Sequence, residues 1–168
     1  IRAAKFPFLH GTTTLFPTTA SSSVSVLKEA IFGIKEAMKC VGDDIPHIYG
    51  VHLEGPYFSL NQKGAQNPSY ITPPQEKDYT EIIRVYGDVI KRWSFAPELT
   101  GSELFCRALL DNKIVPAIAH SDATYEDVKR IFDVGCKLVT HLYSGTSTIT
   151  RVNGYRKLGI IESVYLLD

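Results

Sequence analysis

Three side chains, far apart in the sequence, have the chemistry of a divalent-metal site: Glu54, His120 and His141. Each stands where strand-forming residues give way to a loop. Ile48, Tyr49, Val51 and Leu53 lead into Glu54, and Gly55-Pro56 stops that run because proline has no N–H for a ladder. Ile114–Ala119 leads into His120, and a predicted strand over Lys137–Leu142 contains His141 near its end. A carboxylate at the mouth of a buried strand must be paired, solvated or bound to metal. One carboxylate and two imidazoles form a ligand set that suits zinc, with a fourth position left for water. Iron(II), cobalt and nickel accept the same set.

The other polar residues weigh differently. His52 lies two residues before Glu54 and shares its strand face. This H-x-E spacing is also found in zinc deaminases, but those need P-C-x-x-C as well, and it is absent here. His52 is therefore read as a core residue or one that orients the ligands. His10 and His47 have no strand-end companion and read as surface. Asp122, two residues after His120, could be a general base, but Ser121–Thr124 reads better as the entry to a helix. The loop after Glu54 offers Asn61, Gln62, Lys63, Gln66 and Asn67 to a polar ligand. Lys63, Arg151, Arg156 and Lys157 are candidate anion contacts, of which the setting of Lys63 and Arg151 singles those two out.

These residues need a scaffold, and the apolar pattern supplies one. Gly11–Thr18 is rich in β-branched residues and predicts a strand closed by Pro17. Ser21–Ser23 supplies a helix N-cap, after which Val24, Leu27, Ile31, Ile34 and Met38 follow helical spacing until Gly42 and Asp43-Asp44. Ile48–Leu53 is the next strand. Pro73-Pro74 marks a turn, and Tyr79, Ile82, Ile83 and Tyr86 predict a helix ending near Gly87. Trp93–Ala96 predicts a strand. Thr100 with Glu103 matches a capping box for a helix using Leu104, Phe105, Ala108 and Leu109. Thr124 with Asp127 opens another helix, with Val128, Ile131 and Phe132 inward and Gly135 as its C-terminal cap.

From Trp93 to Val115 is 22 residues, and from Val115 to Lys137 is 22 again. Strand and helix alternating at that period predict βα units on a parallel sheet. Either an open doubly wound sheet or a closed (β/α)8 barrel fits. No Gly-rich phosphate fingerprint follows the first strand, and polar residues close several successive strands, both of which favour the barrel. A whole barrel takes roughly 250 residues. About five strands are legible in these 168, so the expected fold class is α/β, a single-domain part of a metal-dependent TIM barrel. Both ends read as interrupted: Ile1 opens inside an apolar and basic stretch, and Leu166–Asp168 reads as the start of a strand.

Equal numbers of acidic and basic residues, 18 each, argue against a nucleic-acid or membrane-surface binder. No apolar run reaches membrane-spanning length. Three cysteines without C-x-x-C make a disulfide framework an unfavoured reading and a reducing cytoplasm the expected setting.

Four motifs together identify a resemblance: HLEGPYFSLNQKGAQNP from His52, A-P-E at Ala96–Glu98, AHSDAT at Ala119–Thr124 and THLY at Thr140–Tyr143. In this order and spacing they resemble N-acetylglucosamine-6-phosphate deacetylases of the amidohydrolase superfamily. The resemblance implies a metal-bearing (β/α)8 barrel that removes the acetyl group of N-acetylglucosamine 6-phosphate, and a homodimer. It implies Glu54, His120 and His141 as metal ligands, and Ala65 and Gln66 in a substrate loop. Some relatives have His where this chain has Gln66. Ser144 and Gly145 fall where the family commonly has Asn-Ala, whose backbone meets the substrate, and Arg151 falls near its phosphate-binding Arg. The family's catalytic aspartate, its last barrel strands and a small β-domain are expected outside these residues. A different N-acyl substrate, or a sugar-phosphate binder without turnover, are the rival readings.

Overall fold

The computed structural model describes residues 2–40, 42 and 44–167. A helix precedes everything the pattern predicted: α1 (Arg2–Leu9) carries Pro7 inside it and joins β1 (Thr14–Leu15). Then come α2 (Val24–Ala37), β2 (His47–Ile48), β3 (Val51–Glu54), α3 (Glu76–Tyr86), β4 (Ile90–Phe95), α4 (Ser102–Asp111), β5 (Val115–Ile118) and α5 (Tyr125–Val134). A hairpin of β6 (Thr150–Val152) and β7 (Tyr155–Lys157) and the short helix α6 (Ile160–Leu166) follow.

All pairings from β1 to β5 are parallel. β1 lies beside β2, the bridge Thr18–His52 continues that contact, and β3–β4–β5 form one sheet. Beyond β5, Val139 adds a parallel bridge to Ile118. Five successive segments thus run side by side in chain order, with α2, α3, α4 and α5 as the crossovers. The predicted strand over 48–53 is split between β2 and β3. At the split, a side chain on Gly50 would come within 2.7 Å of the Val89 carbonyl and closer still to Lys91, so the backbones meet there without a Cβ.

This sheet is curved. Ser94 on β4 and Thr140 beyond β5 share a hydroxyl–hydroxyl hydrogen bond of 2.9 Å although β5 runs between them. In a flat sheet two strands apart means about 9–10 Å, more than two such short side chains can span. The core lies between the concave sheet's outer face and its helices, with Trp93, Phe95, Phe105, Leu53 and Ile131 among its fully buried members.

Several expectations need correction. α2 ends at Ala37 with Met38 as cap, before Gly42; Asp43 lies outside the described residues. The capping box at Thr100 does not form: Gly101, at φ 86°, is the N-cap of α4, and Glu103 pairs with Arg107 instead. Leu104 is 64% exposed, and Cys106 takes its place inward. Lys137–Leu142 makes one bridge and not a strand, because among the described residues its ladder bonds are those with Ile118, through Leu138 and Thr140. Leu166 closes a helix where a strand start was predicted, and Asp168 is outside the described residues. Among the described residues no helix is long and apolar enough to cross a membrane.

Candidate metal centre

The strand into Glu54 is buried through Leu53, with Val51 and Leu53 on one face and His52 on the face it shares with Glu54. Proline 56 ends it, so Glu54 emerges at the C-terminal edge of the sheet. His120 follows β5, and His141 follows the bridge at Val139. Both histidines have positive φ, 47° and 38°. That region is uncommon for a residue with a side chain and is most often found where surrounding structure enforces it, as at functional sites.

The consequence is convergence. Glu54 Oε1 lies 2.8 Å from His120 Nε2 and 3.2 Å from His141 Nε2, and ligand atoms of the three residues all fall within 4.8 Å of one another. The side chains of Glu54, His120 and His141 are 18%, 10% and 33% exposed, so the group opens to solvent on the His141 side.

The second ring nitrogens decide what this cluster can hold. His120 Nδ1 is 2.8 Å from the Gln62 carbonyl, and His141 Nδ1 is 2.7 Å from the Ser144 carbonyl. A carbonyl oxygen only accepts, so each Nδ1 carries the hydrogen. In the neutral rings both Nε2 lone pairs then face a carboxylate oxygen. Three acceptors meeting without a donor need a cation or a proton between them, and this donor set fits a divalent metal. Burial opposes charge on His120, but its hydrogen bonds to Glu54 and Gln62 outweigh that and raise its pKa; the bond from His120, with that from His141, lowers Glu54.

His52 is buried beneath this group and does not join it. Arg92 donates to its Nδ1 at 3.1 Å, which leaves its Nε2–H for Ser94 at 2.7 Å. Burial and the Arg92 charge push its pKa down to about 4, so the ring is neutral. His10 and His47 are exposed.

Asp122 is not the helix entry. Thr124 caps α5, with its N–H and hydroxyl both on Asp127. Asp122 instead accepts from Ser59 and from Gln62 Nε2, and its own N–H donates to Glu98 at 2.7 Å. Glu98 is half-buried, and the loss of water around its carboxyl raises its pKa. Gly145, at φ 63°, packs against the His120 ring, and its carbonyl accepts from the Ser121 N–H at 3.0 Å. Gln66 is tied by its Oε1 to the Ser21 N–H, while Ala65 and Ser144 are exposed. Arg151 is exposed on β6, directly opposite Arg156 on β7. The hairpin that carries it was missed; Asn153-Gly154, both at positive φ, was the available signal. Lys63 donates to the Gly64 carbonyl, at 3.4 Å.

No protein-family model matches the chain. It is 30% identical to an N-acetylgalactosamine-6-phosphate deacetylase from a Shewanella species, over 83% of this chain and 34% of that protein. Its structure is similar to the crystal structure of N-acetylglucosamine-6-phosphate deacetylase from Thermotoga maritima, with TM-score 0.83 and 33% identity, over 99% of this chain and 42% of the other. It is also similar to the Mycobacterium smegmatis enzyme crystallised with N-acetyl-D-glucosamine-6-phosphate, with TM-score 0.86 and 25% identity, over 96% of this chain and 40% of the other. The chain thus resembles these deacetylases along nearly all of its own length and spans about two fifths or less of theirs.

Proposed function

We propose that this chain supplies the metal-binding side of an amidohydrolase that converts N-acetylglucosamine 6-phosphate to glucosamine 6-phosphate and acetate, in amino-sugar catabolism. One observation carries the reading: Glu54 Oε1 and the Nε2 atoms of His120 and His141 converge, all three as acceptors, at loop mouths along one edge of the sheet. The five parallel segments are assigned to part of a (β/α)8 barrel, supported by the curvature that the Ser94–Thr140 bond requires. A metal site at the C-terminal edge of such a sheet is where barrel chemistry is built.

Glu54, His120 and His141 would hold the cation. Zinc suits the set best, and iron(II), cobalt or nickel would also be accepted. When bound, a divalent cation supplies Lewis acidity, lowering the pKa of a water and polarising the acetyl carbonyl. The chain's own residues prepare the site. Gln62 and Ser144 keep the hydrogen on each Nδ1 and so reserve each Nε2 for the ion. The loops bearing Ala65, Gln66, Ser144 and Gly145 are assigned to the sugar; Gly64 and Gly145 both lie against the His120 ring, which brings these loops to the ion. Arg151 is assigned to the phosphate. Facing Arg156 across the hairpin, it forms a like-charge pair, which is unfavourable until an anion lies between. A homodimer is proposed to bring this hairpin to the site of a second copy. The resemblance assigns the proton acceptor to an aspartate on a later strand; Asp122 has both oxygens occupied by Ser59 and Gln62. Three free cysteines fit a reducing cytoplasm as the setting.

Acetate release by the full-length metal-loaded protein tests this, with N-acetylglucosamine 6-phosphate, its galacto epimer and unphosphorylated N-acetylglucosamine as substrates. The 6-phosphate should be strongly preferred over the free sugar. Glu54→Ala should lower activity more than ~100-fold, beyond what loss of an outer partner costs. Undiminished activity in Glu54→Ala would reject the centre. Equal turnover of the free sugar would point to another N-acyl substrate, and binding without acetate release to a non-catalytic sugar-phosphate binder.

A further inference from the structure

The metal reading leaves two half-buried carboxylates without a role, Glu98 and Asp122. Neither touches the ligand atoms, yet they connect three strand ends in one chain of hydrogen bonds. Glu98, after β4, accepts from the Ser121 hydroxyl at 2.6 Å and from the Asp122 N–H at 2.7 Å. Asp122, after β5, uses one oxygen for the Ser59 hydroxyl and the other for Gln62 Nε2 at 2.8 Å. Ser59 and Gln62 begin and end a four-residue stretch of the loop after β3. That stretch has no regular secondary structure of its own. The Ser59 N–H reaches back to the His120 carbonyl at 2.8 Å, and the Gln62 carbonyl meets His120 Nδ1.

The bonds therefore close a ring. Starting at His120, the backbone runs through Ser121 to Asp122; the Asp122 side chain grips Gln62; and Gln62 returns to the imidazole of His120. A carbonyl on an irregular loop can fix a tautomer only if the loop itself is fixed, and Asp122 holds both of its ends. Glu98 in turn holds the backbone that carries Asp122, next to a histidine in a left-handed conformation.

We propose that Asp122 and Glu98 are positioning residues for the metal centre: Asp122, through Gln62, keeps His120 Nε2 aimed at the cation, and Glu98 keeps Asp122 in place. This rests on the metal-centre reading above. It assigns Asp122 a part in holding the ligand and none in moving the proton of the reacting water.

Cobalt(II) titration of the metal-depleted protein, followed by the visible ligand-field bands and by kcat and KM, tests it. Wild type, Asp122→Ala, Asp122→Asn, Gln62→Ala and the Asp122→Ala/Gln62→Ala double variant are compared, with circular dichroism on each. Asp122→Ala and Gln62→Ala should each weaken cobalt affinity ~10–100-fold and perturb the bands. The double variant should be little worse than either single one, since both remove the same bond. Asp122→Asn, which keeps an acceptor, should recover most of the affinity. Gln62→Ala retains the backbone carbonyl and alters only a loop side chain, so it reports even if Asp122→Ala misfolds. Folded variants with wild-type affinity and bands, or additive losses in the double variant, would overturn the positioning role while leaving the centre intact. A wild type that binds no cobalt would overturn the metal reading and this inference together.

Discussion

Gly145 shows how closely single atoms are fitted around His120. Its φ is 63°, and a Cβ there would stand 3.0 Å from His120 Nδ1 and 3.4 Å from the Gln62 carbonyl, against the bond that sets the tautomer. Gly145→Ala should destabilise the protein by about 1–2 kcal/mol through the left-handed backbone alone and should weaken metal binding as well. Urea denaturation and cobalt titration would measure both; unchanged values in each would show that this contact is slack. At this scale the sequence was readable where side-chain type carries the chemistry. Glu54, His120 and His141 could be picked out as carboxylate and imidazoles at strand ends. Gln62 and Ser144 could not, because they act through backbone carbonyls that any residue offers. Asp122 was misassigned because an aspartate just before a helix reads the same whether it caps that helix or reaches back to a loop.

The helices make the same point one level up. The pattern Thr-x-x-Asp at Thr124 and Thr-x-x-Glu at Thr100 are equivalent as text, yet only the first is a cap. At Thr100 the chain turns through Gly101, and the Ser102 hydroxyl goes to the Pro97 carbonyl, so the helix begins one residue later than the motif implies. Thr124→Ala should therefore lower stability by ~1 kcal/mol, while Thr100→Ala should stay within about 0.5 kcal/mol. Thermal or urea unfolding of the two variants separates them, and equal losses would contradict the assigned caps. Helical periodicity placed α2, α3 and α5 well because each buries one stripe on the sheet. The stretch around His141 was over-read as a strand: its β-branched residues suit an extended chain, but among the described residues its sheet bonds are those to Ile118.

At the scale of the whole molecule, the centre exists because the sheet curves. Glu54 and His120 are separated by a strand, and His141 stands one segment further on, yet all three reach one point. The parallel order could be read from the 22-residue period, and the polar strand ends that favoured a barrel implied a curved sheet; how far it curves shows only in contacts such as Ser94 with Thr140, between residues 46 apart. A flat sheet with the same strands would hold the same residues too far apart to share an ion. The most direct test is anomalous X-ray scattering from crystals of the zinc-loaded protein. One peak is expected about 2.0–2.2 Å from Glu54 Oε1 and from the Nε2 atoms of His120 and His141. Zinc bound to other residues, or a histidine turned away with its Nε2 in solvent, would contradict the account.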